Sequence, residues 1–322
     1  MKKTVFALIF GFFLCFPNSS GAQKVYRIGA LVANDQFVPA FEGFKSRMAE
    51  LGYSEGKNIK YDFHNAQGDG GTLKKLAQKL VQDKADVIVT SSTTATAPVA
   101  KASVGTDIPV VFLSAGDPLV FVKSYAGSDN NLTGISTSSI DLTSKRMELL
   151  KELVPGIKKV VALHNPRGAN YEANLRATRE AAQRLGLELV EVQATTSDEL
   201  IRRAPALLNH RLGEGIIFPP DATLNAVQKQ ISSHVNKEKM PSIAANVGNV
   251  HDGALATYAA DYFALGRQGA ALVDKILKGS KPSDLPIEQP FKLQLVINLK
   301  TAKAIGLKVS KEILIRTDEV IE

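Results

Sequence analysis

A run of hydroxyl side chains follows a strand-like segment in the stretch DVIVTSSTTATAPVAKAS. Residues 86–89 have the composition of a buried strand, and five hydroxyls lie between positions 91 and 96 before helical spacing begins. Thr93 or Thr94 would cap a helix that begins near Ala95, leaving backbone N–H groups free at the positive end of the helix dipole. These N–H groups and the surrounding hydroxyls could bind an anion, for example the carboxylate of a ligand. The alternative is an ordinary N-cap with spare hydroxyls.

A carboxylate at the end of another predicted strand is the natural counterpart of these hydroxyls. The segment IIFPPD brings Asp221 to the tip of a strand, where it would accept hydrogen bonds from a ligand ammonium group. Hydroxyls on one lobe and a carboxylate on the other would hold a zwitterion between them, and binding would close the lobes by a hinge. The alternative is that Asp221 is the N-cap of the helix ATLNAVQ.

Other polar side chains also follow directly after predicted strands. In an open parallel sheet, the carboxyl ends of the strands are where ligands bind, although each cluster alone is equally typical of a turn or a cap. Phe37, Tyr171 and Phe218 are candidate aromatic walls of a pocket, and each fits a core position equally well. The candidate ligand-binding residues are Asn34, Phe37, Ser92, Thr93, Thr94, Ser114, Asp117, His164, Asn165, Tyr171, Asp221 and Asn246.

The sequence lacks the motifs of common enzymes. It contains no G-x-S-x-G elbow, no phosphate-binding loop and no H-E-x-x-H, and its first strand leads into ANDQFVPA rather than a glycine-rich turn. The five histidines are widely spaced, with no pair at metal-ligand spacing. We therefore expect no catalysis, no metal and no cofactor. The enzyme hypothesis that stays open uses Asp117 and Asp221 as acid and base.

The first residues have the pattern of a secretory signal peptide. Lys2 and Lys3 precede a short apolar run at residues 5–16, and Ser20 and Ala22 occupy the small-residue positions of a cleavage site. The apolar run is too short to span a bilayer. We predict cleavage after Ala22 and a periplasmic location.

The mature chain would have no cysteine and a modest positive charge. Cys15 lies inside the leader, and a lipid anchor at this position would need a small residue where Leu14 stands. Removal of Lys2 and Lys3 lowers the formal net charge from +7 to +5, which is 37 basic minus 32 acidic residues. The basic residues are scattered among acids, so nucleic acid is not an expected partner.

Strand-like and helix-like segments alternate from Val25 onward. VYRIGALVAN has the composition of a strand, and VPAFEGFKSRMAELGY has Phe41, Phe44, Met48 and Leu51 at helical spacing. Near-continuous apolar strands indicate parallel sheets that are buried on both faces. A second series in the same order begins after residue 140. The predicted fold is therefore α/β, with two Rossmann-like lobes whose parallel sheets are joined by a multi-strand hinge.

The predicted domain limits follow from this alternation. Extra elements after the second series indicate a chain that crosses between the lobes more than once. We assign residues 1–22 to the signal peptide, residues 23–138 with 259–288 to lobe 1, and residues 139–258 with 289–322 to lobe 2.

Four longer segments resemble one family. They are GFKSRMAELGYSEGKNIKYDFHNAQGD, ISTSSIDLTSKRMELLKELVPGIKKVVALHNP, GALATYAADYFALGRQGAALVDKILKG and LPIEQPFKLQLVINLKTAKAIGL, and they resemble the substrate-binding proteins of ABC importers over nearly the whole mature chain. That family is similar to the type I periplasmic binding proteins, and some members bind aromatic amino acids. The resemblance implies that Ser92 to Thr94 and the Asp117 turn lie in the first-lobe ligand wall, with Asn165 and Asp221 in the second.

Several residues depart from the pattern expected of that family. The loop SSTTATA has no proline after the threonine, and His164 stands where a tyrosine is usual. Arg167 and Gly168 replace a Ser-Glu-like pair, and Ala222 replaces a common asparagine. Because these changes fall in the expected pocket, the resemblance does not transfer a ligand.

The predicted function is that of a periplasmic receptor that delivers a small ligand, an amino acid or related carboxylate, to a membrane permease. The expected partners are this small molecule and an ABC permease in the inner membrane, and the protein is expected to be a monomer. Two alternatives stay open at this stage. One is a receptor that presents its ligand to a sensor kinase or chemoreceptor, and the other is a non-amino-acid ligand such as a sugar or nucleoside.

Overall fold

A computed structural model describes residues 24–168 and 170–322, in which strands and helices alternate. The predicted signal peptide, residues 1–22 with Cys15, lies outside the described residues. The strands are β1 (Tyr26–Val32), β2 (Ile59–Asn65), β3 (Val87–Ser91), β4 (Val110–Ala115), β5 (Leu132–Ser136), β6 (Lys159–His164), β7 (Glu188–Gln193), β8 (Gly215–Ile217), β9 (Ser242–Ala244), β10 (Ala256–Ala260), β11 (Leu293–Asn298) and β12 (Glu319–Ile321).

The helices connect these strands, and many begin at a capping side chain. The helices are α1 (Val38–Glu50), α2 (Gly70–Gln82), α3 (Thr93–Ala102), α4 (Thr143–Leu153), α5 (Tyr171–Leu185), α6 (Ser197–Leu207), α7 (Ala222–Ala226), α8 (Gln228–Lys237), α9 (Val247–His251), α10 (Tyr262–Leu277), α11 (Leu299–Ile305) and α12 (Lys311–Ile315). Asp69 caps α2 and Asp261 caps α10, each by accepting a hydrogen bond from a first-turn backbone N–H.

The first lobe is built on a five-stranded parallel sheet with the order β2-β1-β3-β4-β5. Every residue of β3 and β4 is buried, as expected for central strands that are covered on both faces. Helix α10 comes late in the chain but packs against α1 of this lobe. The two helices approach closely because Gly266 has no side chain: a Cβ there would lie 1.8 Å from the Ala40 carbonyl oxygen.

The second lobe is built on a seven-stranded sheet with the order β12-β11-β10-β9-β8-β6-β7. Its strands are parallel except for the pair β10 and β11, which is antiparallel. The buried apolar residues of this lobe form separate clusters from the single large cluster of the first lobe. Each lobe therefore has its own core.

The chain passes between the lobes at three places in the described residues. It leaves the first sheet after β5, returns from β10 into α10, and crosses again before β11. The Ser136 backbone N–H donates to the Glu288 carbonyl oxygen at 2.9 Å, so two of the crossing segments lie side by side. The prediction of two α/β lobes with mainly parallel sheets and a multi-strand connection is confirmed.

Two helical segments are interrupted where the sequence favours one continuous helix. The segment ATLNAVQKQISSHVNKEK, residues 222–239, has the composition of a single helix, but it breaks at Val227 into α7 and α8. Asn and Val have modest helix propensity, so the pair Asn225 and Val227 does not favour an uninterrupted helix. The carboxyl-terminal part forms two helices, α11 and α12, rather than one.

Across residues 24–168 and 170–322, no helix has both the length and the apolar character that crossing a bilayer requires.

Candidate ligand-binding cleft

A small cleft lies between the lobes, at the carboxyl ends of the strands of both sheets. The structure brings seven of the candidate residues to its lining: Phe37, Ser92, Thr93, Thr94, Ser114, Asp221 and Asn246. We call the first-lobe side, Ser92 to Thr94 with Ser114 and Gly116, the hydroxyl wall. The second-lobe side, called the amide wall, consists of Asn170, Pro220, Asp221, Asn225, Ala245 and Asn246.

The hydroxyl wall begins with a strained residue, Ser92. Its φ of 95° lies in a region that L-residues rarely adopt, next to a register shift between β3 and β4. The Ser92 N–H donates to the Ser114 carbonyl oxygen at 3.0 Å, which holds the turn in place. The strain aims the next residues, Thr93 and Thr94, into the cleft.

The expectation that Thr93 or Thr94 caps a helix starting near Ala95 is wrong. Ser92 is the cap: its Oγ accepts from the Ala95 N–H at 3.0 Å, and α3 begins at Thr93. Because Ser92 has a positive φ, α3 begins two residues earlier than the helical spacing in the sequence suggests. The Ala95 N–H is taken by Ser92 Oγ and the Thr96 N–H by the Ser92 carbonyl oxygen, so the Thr93 and Thr94 N–H groups are the first-turn donors of α3 that are left for a ligand.

Most hydroxyls of the run have structural partners. Ser91 and Ser114 share a hydrogen bond of 2.7 Å between their Oγ atoms, and Thr93 Oγ1 accepts from the Gly116 N–H at 2.9 Å. Thr94 is exposed on the cleft surface. The alternative of spare hydroxyls at an N-cap thus describes part of the run, and Thr94 with the α3 amides is the part that faces the cleft.

Asp221 is the one carboxylate among the lining residues. Its Oδ1 caps α7 by accepting from the Thr223 and Leu224 N–H groups at 2.9 and 3.0 Å. Burial raises its pKa, and the hydrogen bonds to it only partly oppose this effect. The cap interpretation is confirmed for Oδ1. A Cβ at Gly168 would lie 2.3 Å from Oδ2, so the glycine at this position leaves the carboxylate its space.

A chain of amides crosses from the first lobe to the second. Gln36 Nε2, on the first lobe, donates to Asn246 Oδ1 and to Asn249 Oδ1, each at 2.5 Å. Asn249 Nδ2 in turn donates to Asn225 Oδ1 at 2.8 Å. Asn246 also caps α9. The lobes therefore touch through hydrogen bonds beside the cleft.

An aromatic pair forms the apolar part of the lining. Phe37 and Tyr262 have ring centroids 5.4 Å apart and are tilted by 50°. Both line the cleft, and burial raises the pKa of the Tyr262 phenol well above its usual range. Tyr262 therefore stays neutral and can donate a hydrogen bond.

Two candidate residues of the first lobe, Asn34 and Asp117, lie outside the lining, and each caps a short helical turn. Asn34 accepts from the Gln36 N–H, and Asp117 accepts from the Leu119 N–H at 3.0 Å. Since Asp117 is not in the lining, the structure does not gather it with Asp221 as an acid–base pair.

Three candidate residues of the second lobe lie behind the lining. Asn165 Nδ2 approaches both oxygens of Asp221 at 3.4 and 3.5 Å and supports that carboxylate. His164 is 1% exposed, and burial lowers its pKa to about 4, so it is neutral at neutral pH. Its ring edge faces Tyr171, whose hydroxyl accepts from Gln193. Phe218, the third aromatic residue that the sequence suggests for a pocket wall, is a core residue.

Some lining residues were missed by sequence reasoning. Thr137 and Ser139 follow β5 directly, and the strand-end rule that selected the other candidates would also have selected them. Asn225 lies within a helix and Tyr262 starts one, and no local signal marks either. The missed lining residues are Gly116, Thr137, Ser139, Asn170, Pro220, Asn225, Ala245 and Tyr262.

The described residues contain no cluster of three His, Cys, Asp or Glu side chains placed to hold a metal ion. What the cleft offers is neutral donors on one side and a single carboxylate on the other.

Two α/β lobes with a polar cleft at the carboxyl ends of both sheets define a two-lobed binding protein of the type I periplasmic class. The family model for ABC transporter substrate binding protein matches residues 27–321. The chain belongs to this family.

Two similar proteins are described by an amino acid that they bind. The chain is 32% identical over 296 residues to a tyrosine-binding protein of Clostridioides difficile, covering 90% of this chain and 83% of that protein. A Streptococcus pneumoniae structure in complex with L-Trp has a TM-score of 0.84 and 25% identity, covering 92% of this chain and 100% of the other.

Two further structures show the same architecture. A conserved domain protein of Vibrio cholerae has a TM-score of 0.85 and 26% identity, covering 92% of this chain and 100% of the other. The ligand-free, open structure of a Clostridium difficile substrate-binding protein with adhesive properties has a TM-score of 0.71 and 28% identity, covering 92% and 99%. The present structure thus superposes better on the L-Trp complex than on the open one.

Proposed function

We propose that the protein is the extracytoplasmic receptor of an ABC importer. It binds an amino acid between its lobes and prefers an aromatic amino acid. The observation that carries the proposal is the pairing of opposite walls in one cleft. Donors of Thr94 and the α3 N-terminus face a ligand carboxylate, and Asp221 accepts from its ammonium group. The ligand then spans the two lobes.

The aromatic preference is supported by two independent observations. Phe37 and Tyr262 form an apolar lining that suits a ring, since aromatic groups pack at the separations seen for this pair. The relatives named for tyrosine and complexed with L-Trp belong to the same family. The neutral, buried His164 behind the lining adds no charge that would reject an apolar side chain.

Ligand capture by hinge closure is supported by the bridge across the cleft edge. Gln36 donates to two second-lobe amides, and this contact exists only while the lobes are together. In the lobe limits that we propose, residues 23–138 with 259–288 and residues 139–258 with 289–322, Gln36 and its acceptors belong to different lobes. The closer match to an L-Trp complex than to an open structure agrees with a closed form.

The location and partner complete the proposal. The amino-terminal pattern of residues 1–22 supports export to the periplasm, with cleavage after Ala22. Membership of the family supports delivery of the ligand to an inner-membrane permease. The protein would act as a monomer that binds without turnover.

A thermal-shift screen of the purified mature protein with the L-amino acids tests the proposal. Tyrosine or tryptophan at about 100 times its Kd should stabilise the fold by about 2.7 kcal/mol and raise the melting temperature by several degrees. Recovery of the unchanged ligand after prolonged incubation distinguishes binding from turnover. If no amino acid shifts the melting temperature, the amino-acid assignment fails, and sugars and nucleosides are the next screen.

A further inference from the structure

A buried arginine lies directly beneath the floor of the cleft. Arg146, in the first turns of α4, is 1% exposed and is among the largest fully buried side chains. Its Nη1 donates to the Ala245 carbonyl oxygen at 2.8 Å and to Ser139 Oγ at 3.1 Å, and its Nη2 donates to the Ser139 carbonyl oxygen. Two residues that line the cleft, Ser139 and Ala245, thus separate the guanidinium from the ligand space.

This guanidinium has no counter-ion among the residues that the structure describes. All of its hydrogen-bond acceptors are neutral, and within residues 24–168 and 170–322 no carboxylate lies within 4.0 Å of it. Its Nε also has no hydrogen-bond partner among the described residues. Burial lowers the pKa of Arg146 to about 10, so the side chain is still charged at neutral pH. Buried charges are normally paired, because an unpaired ion in the interior is costly.

The charge acts on groups that face the cleft. Burial raises the pKa of Tyr262, and the Arg146 charge opposes that rise, so the field of the guanidinium extends to a lining side chain. Ser139 Oγ accepts from Arg146, and its own hydrogen makes a long contact of 3.4 Å with the Ala245 carbonyl oxygen. A ligand acceptor above the floor would give this polarised hydroxyl a shorter hydrogen bond.

We propose that Arg146 is the charge-selecting residue of the cleft: its unpaired charge makes the hinge-side floor at Ser139 and Ala245 electropositive and selects ligands that carry a carboxylate. The inference rests on the proposed function for its ligand class and adds the group that sets ligand charge. Arg146 acts through the floor and does not touch the ligand. Since Arg146 is buried, its charge is weakly screened by solvent and salt.

A purely structural role is the competing account, because the same hydrogen bonds tie the segment after β5 to the end of β9. Two substitutions separate charge from hydrogen bonding. Arg146→Lys keeps the charge with fewer donors, whereas Arg146→Gln keeps an amide donor without the charge. Lys145→Gln, which removes a neighbouring charge on the surface of α4, is the control. Ser139→Ala removes the polarised hydroxyl without changing any charge.

The experiment compares equilibrium binding of L-tyrosine and L-tyrosinamide, which differ in the carboxylate alone, to the full mature chain of each variant. The wild type, Lys145→Gln and Arg146→Lys should prefer L-tyrosine by about tenfold or more, and Arg146→Gln should reduce this ratio to within about threefold. Ser139→Ala should lower the ratio partway. The ratio is informative because a structural defect weakens both ligands equally. An unchanged ratio in Arg146→Gln, or equal losses in Arg146→Lys and Arg146→Gln, would overturn the inference.

A second pair of ligands distinguishes a failure of the inference about Arg146 from a failure of the proposed function. If the wild type binds neither L-tyrosine nor L-tryptophan, the proposed function fails, and hydroxyphenylpropionate and tyramine then test Arg146 without an amino acid. The anionic hydroxyphenylpropionate should bind in preference to the cationic tyramine. Preference for tyramine, or binding of neither compound, would overturn the inference. If Arg146→Gln does not fold, the ratio for Ser139→Ala decides the question, and an unchanged ratio in that variant would overturn the inference.

Discussion

The two walls of the cleft are built alike but carry different chemistry. On each, a short segment joins a parallel strand to a helix whose N-cap is a polar residue, Ser92 for α3 and Asp221 for α7. The hydroxyl wall is neutral and supplies donors, whereas the amide wall contains the one carboxylate of the lining. The same kind of strand–helix unit therefore suits the negative end of a ligand where its cap is a serine, and the positive end where its cap is an aspartate.

The walls also differ in how they are held. The hydroxyl wall is fixed by a strained backbone at Ser92 and by hydrogen bonds between β3 and β4. The amide wall is fixed by side chains, since Asn165 supports Asp221, and Asn249 joins Asn225 to Gln36. We infer that specificity for the ammonium end is easier to lose by a side-chain change than specificity for the carboxylate end.

The largest expected effect removes the charge of the amide wall. Asp221→Asn keeps an N-cap of nearly the same shape, so the fold should persist, but the affinity for an aminated ligand should fall about 100-fold. Affinity for a purely anionic analogue should change little. Asp117→Asn, an aspartate cap outside the lining, is the matched control. Calorimetric titration of both ligands measures this, and loss of the anionic ligand with retention of the aminated one would contradict the assignment of the walls.

The pH dependence of binding should follow the same carboxylate. Burial raises the pKa of Asp221 in the ligand-free protein, and the ammonium group needs the ionised form. Affinity for an aminated ligand should therefore be constant above that pKa and fall about tenfold per pH unit below it. Titrations at a series of pH values test this, with Asp221→Asn as the reference. A wild-type profile as flat as that of the variant would argue against an ionised Asp221 in the complex.

The addition of a single methyl group at Gly168 should disturb the amide wall indirectly. Gly168→Ala places a Cβ where Asp221 Oδ2 lies, 2.3 Å away, so the carboxylate must move. We expect affinity for an aminated ligand to fall about 30-fold without loss of secondary structure. Gly156→Ala, which has open space at its Cβ position, is the control. Equal affinities of the two variants would mean that the position of Asp221 is unimportant.

The bridge between the walls should have a moderate effect. Gln36→Ala removes the donor to Asn246 and Asn249 and should weaken binding about tenfold by disfavouring closure. Small-angle scattering should show a larger radius of gyration for this variant at sub-saturating ligand. Gln78→Ala, on the exposed face of α2 in the same lobe, is a suitable comparison. Scattering profiles and affinities that match the wild type would exclude a role of Gln36 in closure.

The smallest expected effect concerns the hydroxyl wall. Thr94→Val removes one hydroxyl while backbone donors of α3 remain, so affinity for a carboxylate ligand should fall about fivefold. Thr72→Val, in the first turn of α2, controls for the loss of a threonine near a helix start. A loss as large as that of Asp221→Asn would show that the carboxylate depends on the Thr94 side chain rather than on the backbone.

The sequence predicts the lobes well because apolar strand composition and helical spacing are local signals. It selects Ser92, Thr93 and Asp221 because ligand groups gather at strand ends. It does not reveal that Ser92 adopts a positive φ, since serine has no preference for that region and the strain depends on β4. For the same reason, it misses Asn225 and Tyr262, which reach the cleft only through packing between distant segments.

Arg146 shows more clearly what the sequence cannot predict. Helical spacing places it, unlike the exposed Lys145, on the same face as Leu149, Leu150 and Leu153, so the sequence indicates its burial. The sequence does not show that its acceptors are the segments around Ser139 and Ala245, which come together only in the folded protein.

The most direct test of the central claim is a crystal structure of the mature protein with bound L-tyrosine or L-tryptophan. The account predicts one ligand between the walls, with its ammonium group within hydrogen-bond distance of Asp221 and its carboxylate facing Thr94 and the α3 N-terminus. A ligand bound outside the cleft, or with its ammonium and carboxylate ends reversed, would contradict it.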